Sequence, residues 1–432
     1  MPSLEACLRD QTSMRFPNLD QWLSWQETLH PKKIDLGLER VRSVARVMGL
    51  DCPRHTVVTI AGTNGKGSCV ALLSAMLGAS GYKVGSYISP HLLRYNERIR
   101  IEDREVSDEE LCIAFERVDQ ARGNITLSYF EFGTLAALDI FARQEVDLAI
   151  LETGLGGRLD AVNILDADVA LVTTIGIDHV EWLGTERNSI GREKAGIFRP
   201  NRPAVCADVS PPDSVPERAQ SLGARWLTRG EAFDFADKGT QWSWWSRTQR
   251  LEALPKPALE GAFQLSNAAA VLMVLECLNQ RFPVSRAVIE QGLSTAFLPG
   301  RMQVLGESPE RILDVAHNPD AAQALVEALS ARPRRQTRLI LAMLETKNVE
   351  GMGRVLAGAV DAWYLAGLTV ELGLSAKTLA HRLGDTIAGK PVGLFDTVLQ
   401  AYHQALSDAG PEDRVLVCGS FNTVAEVIKS IL

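Results

Sequence analysis

The length, composition and charge of the chain exclude several classes of protein. The chain has 432 residues, more than one hydrophobic core usually supports, which predicts at least two domains. Hydrophobic residues make up 46% and charged residues 23% of the sequence, the balance of an ordinary soluble globular protein. The formal net charge of -8 argues against a general nucleic-acid binder, whose surface should be basic.

Neither a targeting segment nor a membrane span is expected. The segment Met1–Arg15 carries charged side chains and lacks the apolar core of a signal peptide. No stretch approaches the roughly 18 uninterrupted apolar residues that a membrane span requires. The seven cysteines are scattered without a C-x-x-C pair, which favours a reducing compartment. We therefore expect a cytoplasmic protein with no nucleic-acid and no membrane partner.

The first half of the chain predicts an alternation of strands and helices. Residues 18–50 have a helical pattern that is interrupted near Ile34–Arg40. The elements predicted after them are strands at 56–61, 83–88, 148–152 and 169–174 and helices at 67–80, 107–122 and 130–144. Such an alternation implies a mostly parallel sheet covered on both faces. Ligands of these sheets bind beyond the carboxyl ends of the strands.

Residues 210–258 break the alternation. Prolines frame the tryptophan-rich run Gln241–Trp245, which we interpret as part of a small antiparallel appendage. The alternative is an aromatic binding platform. Helical periodicity returns at Asn267–Leu278, and Phe297–Arg301 is a predicted domain junction.

A second α/β series follows the junction. Its predicted strands are 311–315, 339–343, 363–366, 392–395 and 415–418, and its predicted helices are 321–331 and 401–408. This half has no phosphate loop of its own. We therefore predict a P-loop domain over residues 1–297 and a smaller Rossmann-like domain over residues 298–432 that closes over it.

A glycine-rich turn after the first predicted strand carries the strongest functional signal. The strand Val57–Ile60 leads into Gly-Thr-Asn-Gly-Lys-Gly-Ser, residues 62–68, and a helix follows. Glycines let amide N–H groups approach an anion, and the helix N-terminus adds a positive dipole end. Lys66 would reach the β- and γ-phosphates of a nucleotide, and Thr63 or Ser68 would lie near a magnesium ion.

The turn is a shortened variant of the standard nucleotide loop. Ile60 stands where the first glycine of G-x-x-x-x-G-K-[ST] is expected, and Gly67 separates Lys66 from Ser68. The alternative interpretation is a glycine-rich turn that holds no ligand.

Three polar residues stand at the ends of successive predicted strands. They are Ser89 in Tyr-Ile-Ser-Pro-His, Glu152 before a glycine-rich turn, and His179 after Ile-Gly-Ile-Asp. Glu152 suits a hard cation beside phosphates, whereas His179 alone would be interpreted as a hydrogen-bonded loop residue. Together with the phosphate loop they indicate ATP with two Mg²⁺ ions, the parts that phosphoryl transfer requires.

Seven motifs resemble those of bacterial folylpolyglutamate synthase/dihydrofolate synthase, a family of the Mur ligase superfamily. They follow the family order across most of the chain. The motifs are residues 61–68, 89–92, 129–132, 155–161, 192–197, 299–301 and 314–319. The resemblance implies an α/β fold with a Mur-ligase-like P-loop domain.

The resemblance also implies how ATP and metal would be held. The residues that it assigns to ATP are Thr63, Asn64, Gly65, Lys66, Gly67, Ser68, Asn267, Arg301 and Asp314. Those that it assigns to two magnesium ions are Ser89, Glu152 and His179. Otherwise Asn267 would be a polar residue at a helix N-terminus and Asp314 a turn former at a strand end.

The resemblance also implies a reversal of charge at Lys194. This residue matches a lysine that the family carries as a carbamate, a negatively charged side chain able to meet metal. The alternative is an ordinary lysine paired with a neighbouring carboxylate. Lys66, Lys194 and His317 are the expected catalytic residues.

The substrates follow from the same resemblance. The residues that match the pteroate-binding segments are Ser128, Tyr129, Phe130, Glu131, Leu159, Asp160 and Ala161. An aromatic ring flanked by a carboxylate suits a flat heterocycle; alternatively Phe130 and Phe132 are core residues, as we expect for Phe132. His317 and Ser420 would face the incoming L-glutamate.

The implied activity is an ADP-forming ligase that acts through an acyl phosphate. The acceptors would be 7,8-dihydropteroate and the terminal glutamate of tetrahydrofolate polyglutamates, and the protein would be a monomer. One alternative is a synthase that only elongates folates. A Mur-type ligase for another carboxylate acceptor, such as a UDP-linked precursor, is less favoured. Such enzymes usually carry an extra N-terminal UDP-binding domain, and the roughly 55 residues before the phosphate strand are too few for one. A protein that binds ATP without ligation would not need Glu152, His179 and Lys194 together.

Overall fold

The computed structural model describes residues 14–432, so the segment Met1–Arg15 considered above falls almost entirely outside the described residues. Two helices open this range, α1 (Leu19–Leu29) and α2 (Glu39–Met48), with the expected interruption between them. No helix in residues 14–432 is long and apolar enough to cross a bilayer.

An eight-stranded sheet organises the first half of the chain. Its strands and the helices between them are β1 (Thr56–Ala61), α3 (Lys66–Ala79), β2 (Val84–Tyr87), β3 (Ile99–Ile101), β4 (Arg104–Glu105), α4 (Asp108–Arg122), α5 (Tyr129–Arg143), β5 (Leu148–Glu152), β6 (Val169–Val172), α6 (Val180–Leu183), α7 (Arg187–Lys194), β7 (Pro203–Cys206), α8 (Ser214–Leu222) and β8 (Arg225–Thr228). The spatial order is β4-β3-β2-β5-β1-β6-β7-β8. Only β3 runs opposite to the other strands, pairing antiparallel with β2 and with β4, and the sequence did not predict β3 or β4.

The central strands are apolar because helices cover both faces of the sheet. Every residue of β1 is buried, with Thr56 paired to Leu148 of β5 and Val58 paired to Val169 of β6. Parallel strands buried on both faces read as continuous apolar runs. This register brings the carboxyl ends of β1, β2, β5 and β6 to one edge of the sheet.

The tryptophan-rich segment is a structural appendage, as predicted. It forms a separate antiparallel sheet from β9 (Phe233–Asp237), β10 (Gln241–Ser246) and β11 (Arg250–Pro255). Trp242 and Trp244 are fully buried, and the Trp244 indole N–H donates to the carbonyl of Ala269 at 3.0 Å. These rings are therefore core residues, and the alternative of an aromatic platform was wrong for them.

A second α/β sheet occupies the C-terminal part. After α9 (Phe263–Leu278) and α10 (Arg286–Thr295), its elements are β12 (Gln303–Glu307), β13 (Glu310–Leu313), α11 (Pro319–Ser330), β14 (Thr337–Leu341), α12 (Val349–Leu356), β15 (Ala362–Ala366), α13 (Ala376–Leu383), β16 (Val392–Phe395), α14 (Val398–Asp408), β17 (Arg414–Cys418) and α15 (Phe421–Lys429). The order is β12-β13-β17-β14-β15-β16, with only β12 antiparallel. The two large sheets share no strand, and we propose the boundary between residues 297 and 298.

Candidate active site

The phosphate loop lies between β1 and α3 and requires glycine at two positions. Gly62 and Gly65 have φ values of 151° and 90°. A Cβ at Gly62 would lie 1.7 Å from the Thr173 hydroxyl, and one at Gly65 would lie 2.5 Å from Oδ1 of Asn267. The loop backbone is therefore pressed against neighbouring polar groups, as a tight anion-binding turn needs.

Lys66 and Glu152 face each other across the end of the sheet. The Lys66 ammonium lies 3.8 Å from the Glu152 carboxylate and donates to the carbonyl of Thr63 at 3.3 Å. Glu152 is only 5% exposed. Burial raises the pKa of Glu152, while the charges of Lys66 and Arg301 oppose that rise. A lysine and a carboxylate at one point provide partners for both a phosphate and its cation.

The three predicted metal ligands converge on this point. The Ser89 amide donates to Glu152 at 3.4 Å, and His179 lines the same cavity as both residues. Burial and the charge of Lys347 lower the pKa of His179 to about 4, which keeps the imidazole neutral and able to ligate. Within residues 14–432, no group of three His, Cys, Asp or Glu side chains is close enough to hold a metal by itself. Mg²⁺ typically shares one or two protein carboxylates with substrate phosphates, which fits this donor set.

Lys194 lies at the end of α7 beneath the phosphate loop. Its ammonium donates to the carbonyl of Gly62 at 2.8 Å, and the side chain is buried. Burial, together with the charge of Lys66, lowers the pKa of Lys194 to about 7. A substantial fraction of this amine is therefore neutral near pH 7, the form that can react with carbon dioxide.

A cavity of about 960 Å³ adjoins the phosphate loop on the α9 side. Asn267, Arg301 and Asp314 line it together with Asn64, Gly65 and Ser68. Asp314 accepts the amides of Met302 and Ala316 at 2.9 and 2.8 Å, which fixes its carboxylate at the cavity wall. Six of the nine residues predicted to bind ATP thus line this cavity, whereas Thr63, Lys66 and Gly67 line the second cavity described next.

A second cavity, of about 390 Å³, lies on the other side of the loop. Residues from both domains line it: Lys66, Ser89, Glu152 and Lys194 from the first, and Arg301, His317 and Ser420 from the second. Ser420 caps α15 by accepting the amide of Thr423 at 3.0 Å. His317 places Nε2 3.3 Å from the carboxylate of Asp178.

The predicted pteroate segments lie behind this second cavity rather than in its wall. Phe130 packs against Gly154, where a Cβ would approach its ring to 2.8 Å. Asp160 accepts the amide of Leu155 at 2.8 Å, and burial raises the pKa of Asp160 to about 6. Gly154 and Leu155 line the cavity, so they connect both segments to it.

Glu131 has structural partners in addition to its predicted role. One oxygen accepts the amide of Ser128 at 2.8 Å, completing a capping box at the start of α5. The other oxygen pairs with Arg40 at 3.1 Å. Phe132 is fully buried, which confirms that it is a core residue. Leu159 is half-buried and Ala161 is buried beside Asp160.

Three residues at the site were not predicted from the sequence. Asp178, Lys347 and Arg98 all line the second cavity. Asp178 and Lys347 are an ion pair between the domains. The position of Asp178 directly before His179 could have indicated its role. Arg98 lies in the charged segment Glu97–Glu105, a pattern typical of solvent-exposed residues.

Comparisons with known proteins agree with this geometry. Residues 60–275 match the Mur ligase middle domain, and residues 300–421 match the Mur ligase glutamate ligase domain. The chain is 45% identical to the dihydrofolate synthase/folylpolyglutamate synthase of Escherichia coli K12, over 96% of this chain and 95% of that protein.

Two solved structures are similar over nearly their whole length. Escherichia coli FolC in complex with DHPP and ADP superposes with a TM-score of 0.91 at 45% identity, covering 96% of this chain and 97% of that one. A bifunctional folylpolyglutamate synthase/dihydrofolate synthase with Mn, AMPPNP and L-glutamate bound gives 0.90 at 45% identity, covering 98% and 100%. The chain therefore belongs to the dihydrofolate synthase/folylpolyglutamate synthase family of Mur ligases.

Proposed function

We propose that this ligase joins L-glutamate to 7,8-dihydropteroate and to the terminal glutamate of tetrahydrofolates, with ATP converted to ADP and phosphate. The observation that carries the proposal is the second cavity. Its wall includes Lys66 and Glu152 beside the phosphate loop together with His317 and Ser420 of the C-terminal domain. A reaction that joins an activated acid to an amino acid needs both substrates to meet at such an interface.

The chemistry requires activation of the acceptor, because a carboxylate is a poor electrophile. An acceptor oxygen forms a bond to the γ-phosphorus as the bond to ADP breaks, which gives an acyl phosphate. The amine of L-glutamate then attacks the acyl carbon, and phosphate leaves from the tetrahedral intermediate. The amine must lose a proton as the amide forms.

Lys66 offsets the charge on the transferred phosphoryl oxygens. Ser89, Glu152 and His179 would hold Mg²⁺, which neutralises phosphate charge when bound. A carbamate on Lys194 would place a further anion beside that cation. The two domains enclose the acyl phosphate and thereby exclude water that would hydrolyse it.

His317 and Ser420 are proposed to receive the incoming L-glutamate. His317 hydrogen-bonds the carbonyl of Val315 through Nδ1 at 2.9 Å, so its Nε2 is directed towards the interface. Ser420 presents its hydroxyl at the N-terminus of α15, where a carboxylate is favoured. The pteroate ring is proposed to reach residues 128–131 and 159–161 past Gly154.

The test is glutamate-dependent release of ADP with 7,8-dihydropteroate as the acceptor. Cytoplasmic location and a monomeric state complete the proposal. They rest on the scattered cysteines and on an active site that a single chain supplies.

A further inference from the structure

Arg98 is a buried cation that forms no ion pair with a carboxylate of the described residues, 14–432. It directly precedes β3, and the residue is only 9% exposed. None of the ion pairs within residues 14–432 includes its guanidinium. A buried charge without an opposite charge is costly. The position therefore favours an anion that comes from outside the chain.

The groups that contact Arg98 orient it without neutralising it. Its Nε donates to Nδ1 of His91 at 2.8 Å. Its guanidinium carbon lies 5.3 and 5.7 Å from the ring centres of Tyr95 and Tyr129. Because Nδ1 of His91 is the acceptor of this hydrogen bond, it carries no proton, and the ring adds no positive charge beside Arg98. The Tyr87 hydroxyl is a further neutral neighbour of Arg98, and no carboxylate within residues 14–432 forms an ion pair with the Nη groups.

Arg98 lies between the phosphate site and the pteroate segment. It lines the second cavity together with Lys66, Ser89 and Glu152. Its charge is among those that act on the Glu152 carboxylate. Its guanidinium also contacts the ring of Tyr129, the first residue of α5. The acceptor carboxylate that is phosphorylated must lie between the aromatic ring of the acceptor and the γ-phosphate of ATP. Arg98 lies at that position.

We infer that Arg98 binds the reacting carboxylate of the acceptor. The inference rests on the proposed function and adds a binding residue to it. A guanidinium can hold both oxygens of a carboxylate in two parallel hydrogen bonds, which fixes their direction. Its charge also reduces the repulsion between the carboxylate and the phosphates of ATP. A guanidinium has five N–H donors and no acceptor, so the role of Arg98 is to bind the carboxylate and not to transfer a proton.

The inference applies to both acceptors, because each reacts through one carboxylate. Arg98→Gln removes the charge, Arg98→Lys keeps it without the planar fork, and Arg94→Gln is the matched control. Arg94 lies in the same segment, is 63% exposed and pairs with Asp108 at 3.5 Å. Thermal unfolding of each variant checks folding before kinetics are compared.

Arg98→Gln should lower kcat/KM by at least about 30-fold with dihydropteroate and with tetrahydrofolate, the effect of truncating one partner of a buried charge pair. The KM for ATP should stay within about twofold, because Arg98 does not line the nucleotide cavity. Arg98→Lys should recover part of the loss, and Arg94→Gln should equal the wild type.

A binding measurement separates a carboxylate contact from a general structural role. Wild-type protein should bind dihydropteroate at least about 30-fold more tightly than its carboxamide, whereas Arg98→Gln should bind both alike. If Arg98→Gln does not fold, a reduced preference in Arg98→Lys is the supporting result. A variant that keeps the wild-type preference would overturn the inference.

The remaining outcomes separate this inference from the proposed function. A wild-type protein that releases ADP while Arg98→Gln behaves like Arg94→Gln overturns the inference alone. A loss confined to tetrahydrofolate also overturns it, since Arg98 would then bind a carboxylate that dihydropteroate lacks. A wild-type protein that releases no ADP with dihydropteroate overturns both.

Discussion

Lys347 of the C-terminal domain places its ammonium 2.7 Å from the carboxylate of Asp178 in the N-terminal domain. Both side chains are only 11% exposed. Asn318 also donates to Asp178, at 3.2 Å. Although burial raises the pKa of Asp178, the hydrogen bond with His317 and the charge of Lys347 hold it well below its usual range. One buried carboxylate thus joins the two domains beside the cavity.

Lys347→Met should weaken the docking of the two domains. Removing one partner leaves Asp178 buried without its main counter-charge, a loss of about 3–5 kcal/mol in comparable pairs. Small-angle scattering should show a larger radius of gyration for the variant, and adding Asp178→Asn should recover part of the change. Lys33→Met is the control, because Lys33 pairs with Glu371 across the domains at an exposed position. Equal scattering from Lys347→Met and Lys33→Met would contradict this role.

Glu152→Gln should keep the fold and lose ligation. Glutamine has the same shape but supplies no charge for a cation, and even outer-shell changes at metal sites commonly cost 10–100-fold. We expect ADP release to fall by at least about 100-fold while the thermal midpoint is kept or raised, since a buried charge is removed. Near wild-type turnover in this variant would refute the assignment of Glu152 to metal.

Lys194 should carry carbon dioxide when bicarbonate is present. Its pKa of about 7 leaves much of the amine neutral, and the neutral amine is the reactive form. Intact-mass spectra taken under native conditions should show one added carbon dioxide in bicarbonate, and Lys194→Met should not show it. Turnover of protein dialysed free of bicarbonate should rise when bicarbonate is returned. An unmodified Lys194 in active protein would refute the carbamate.

His55 should make the protein less stable in mild acid. Burial lowers the pKa of His55 below its usual 6.5. Below about pH 6.5 the unfolded chain therefore binds more protons at this residue than the folded one, and the free energy of unfolding falls as pH falls. His55→Gln should reduce the drop in thermal midpoint between pH 7.5 and 5.5. His403 is exposed, so His403→Gln should show the same drop in thermal midpoint as the wild type. The same drop in His55→Gln would contradict the prediction.

The sequence predicted the parts of the fold that local patterns encode. We could predict the buried parallel strands and the glycine loop before Lys66 from the sequence, because burial and phosphate binding each require particular residue types at fixed spacing. Helix α12 was missed because its glycines lower helix propensity. The structure explains Gly353, where a Cβ would lie 2.5 Å from Leu383, so that α12 and α13 pack closely.

The parts of the site that depend on domain arrangement were not readable. Asp178 and Lys347 are 169 residues apart, and only the docking of two separate sheets brings them together. Arg98 stands in a charged run that suggests solvent exposure. Its burial depends on rings contributed by Tyr95 and by Tyr129 of α5, which no local pattern reveals.

The most direct test measures ADP release with L-glutamate and magnesium, comparing 7,8-dihydropteroate, tetrahydrofolate and no acceptor. We predict release with each acceptor that depends on glutamate, and only background release without an acceptor. Release with tetrahydrofolate alone would restrict the enzyme to elongation. Silence with both acceptors would contradict the proposed function and return the question of the acceptor to other carboxylates.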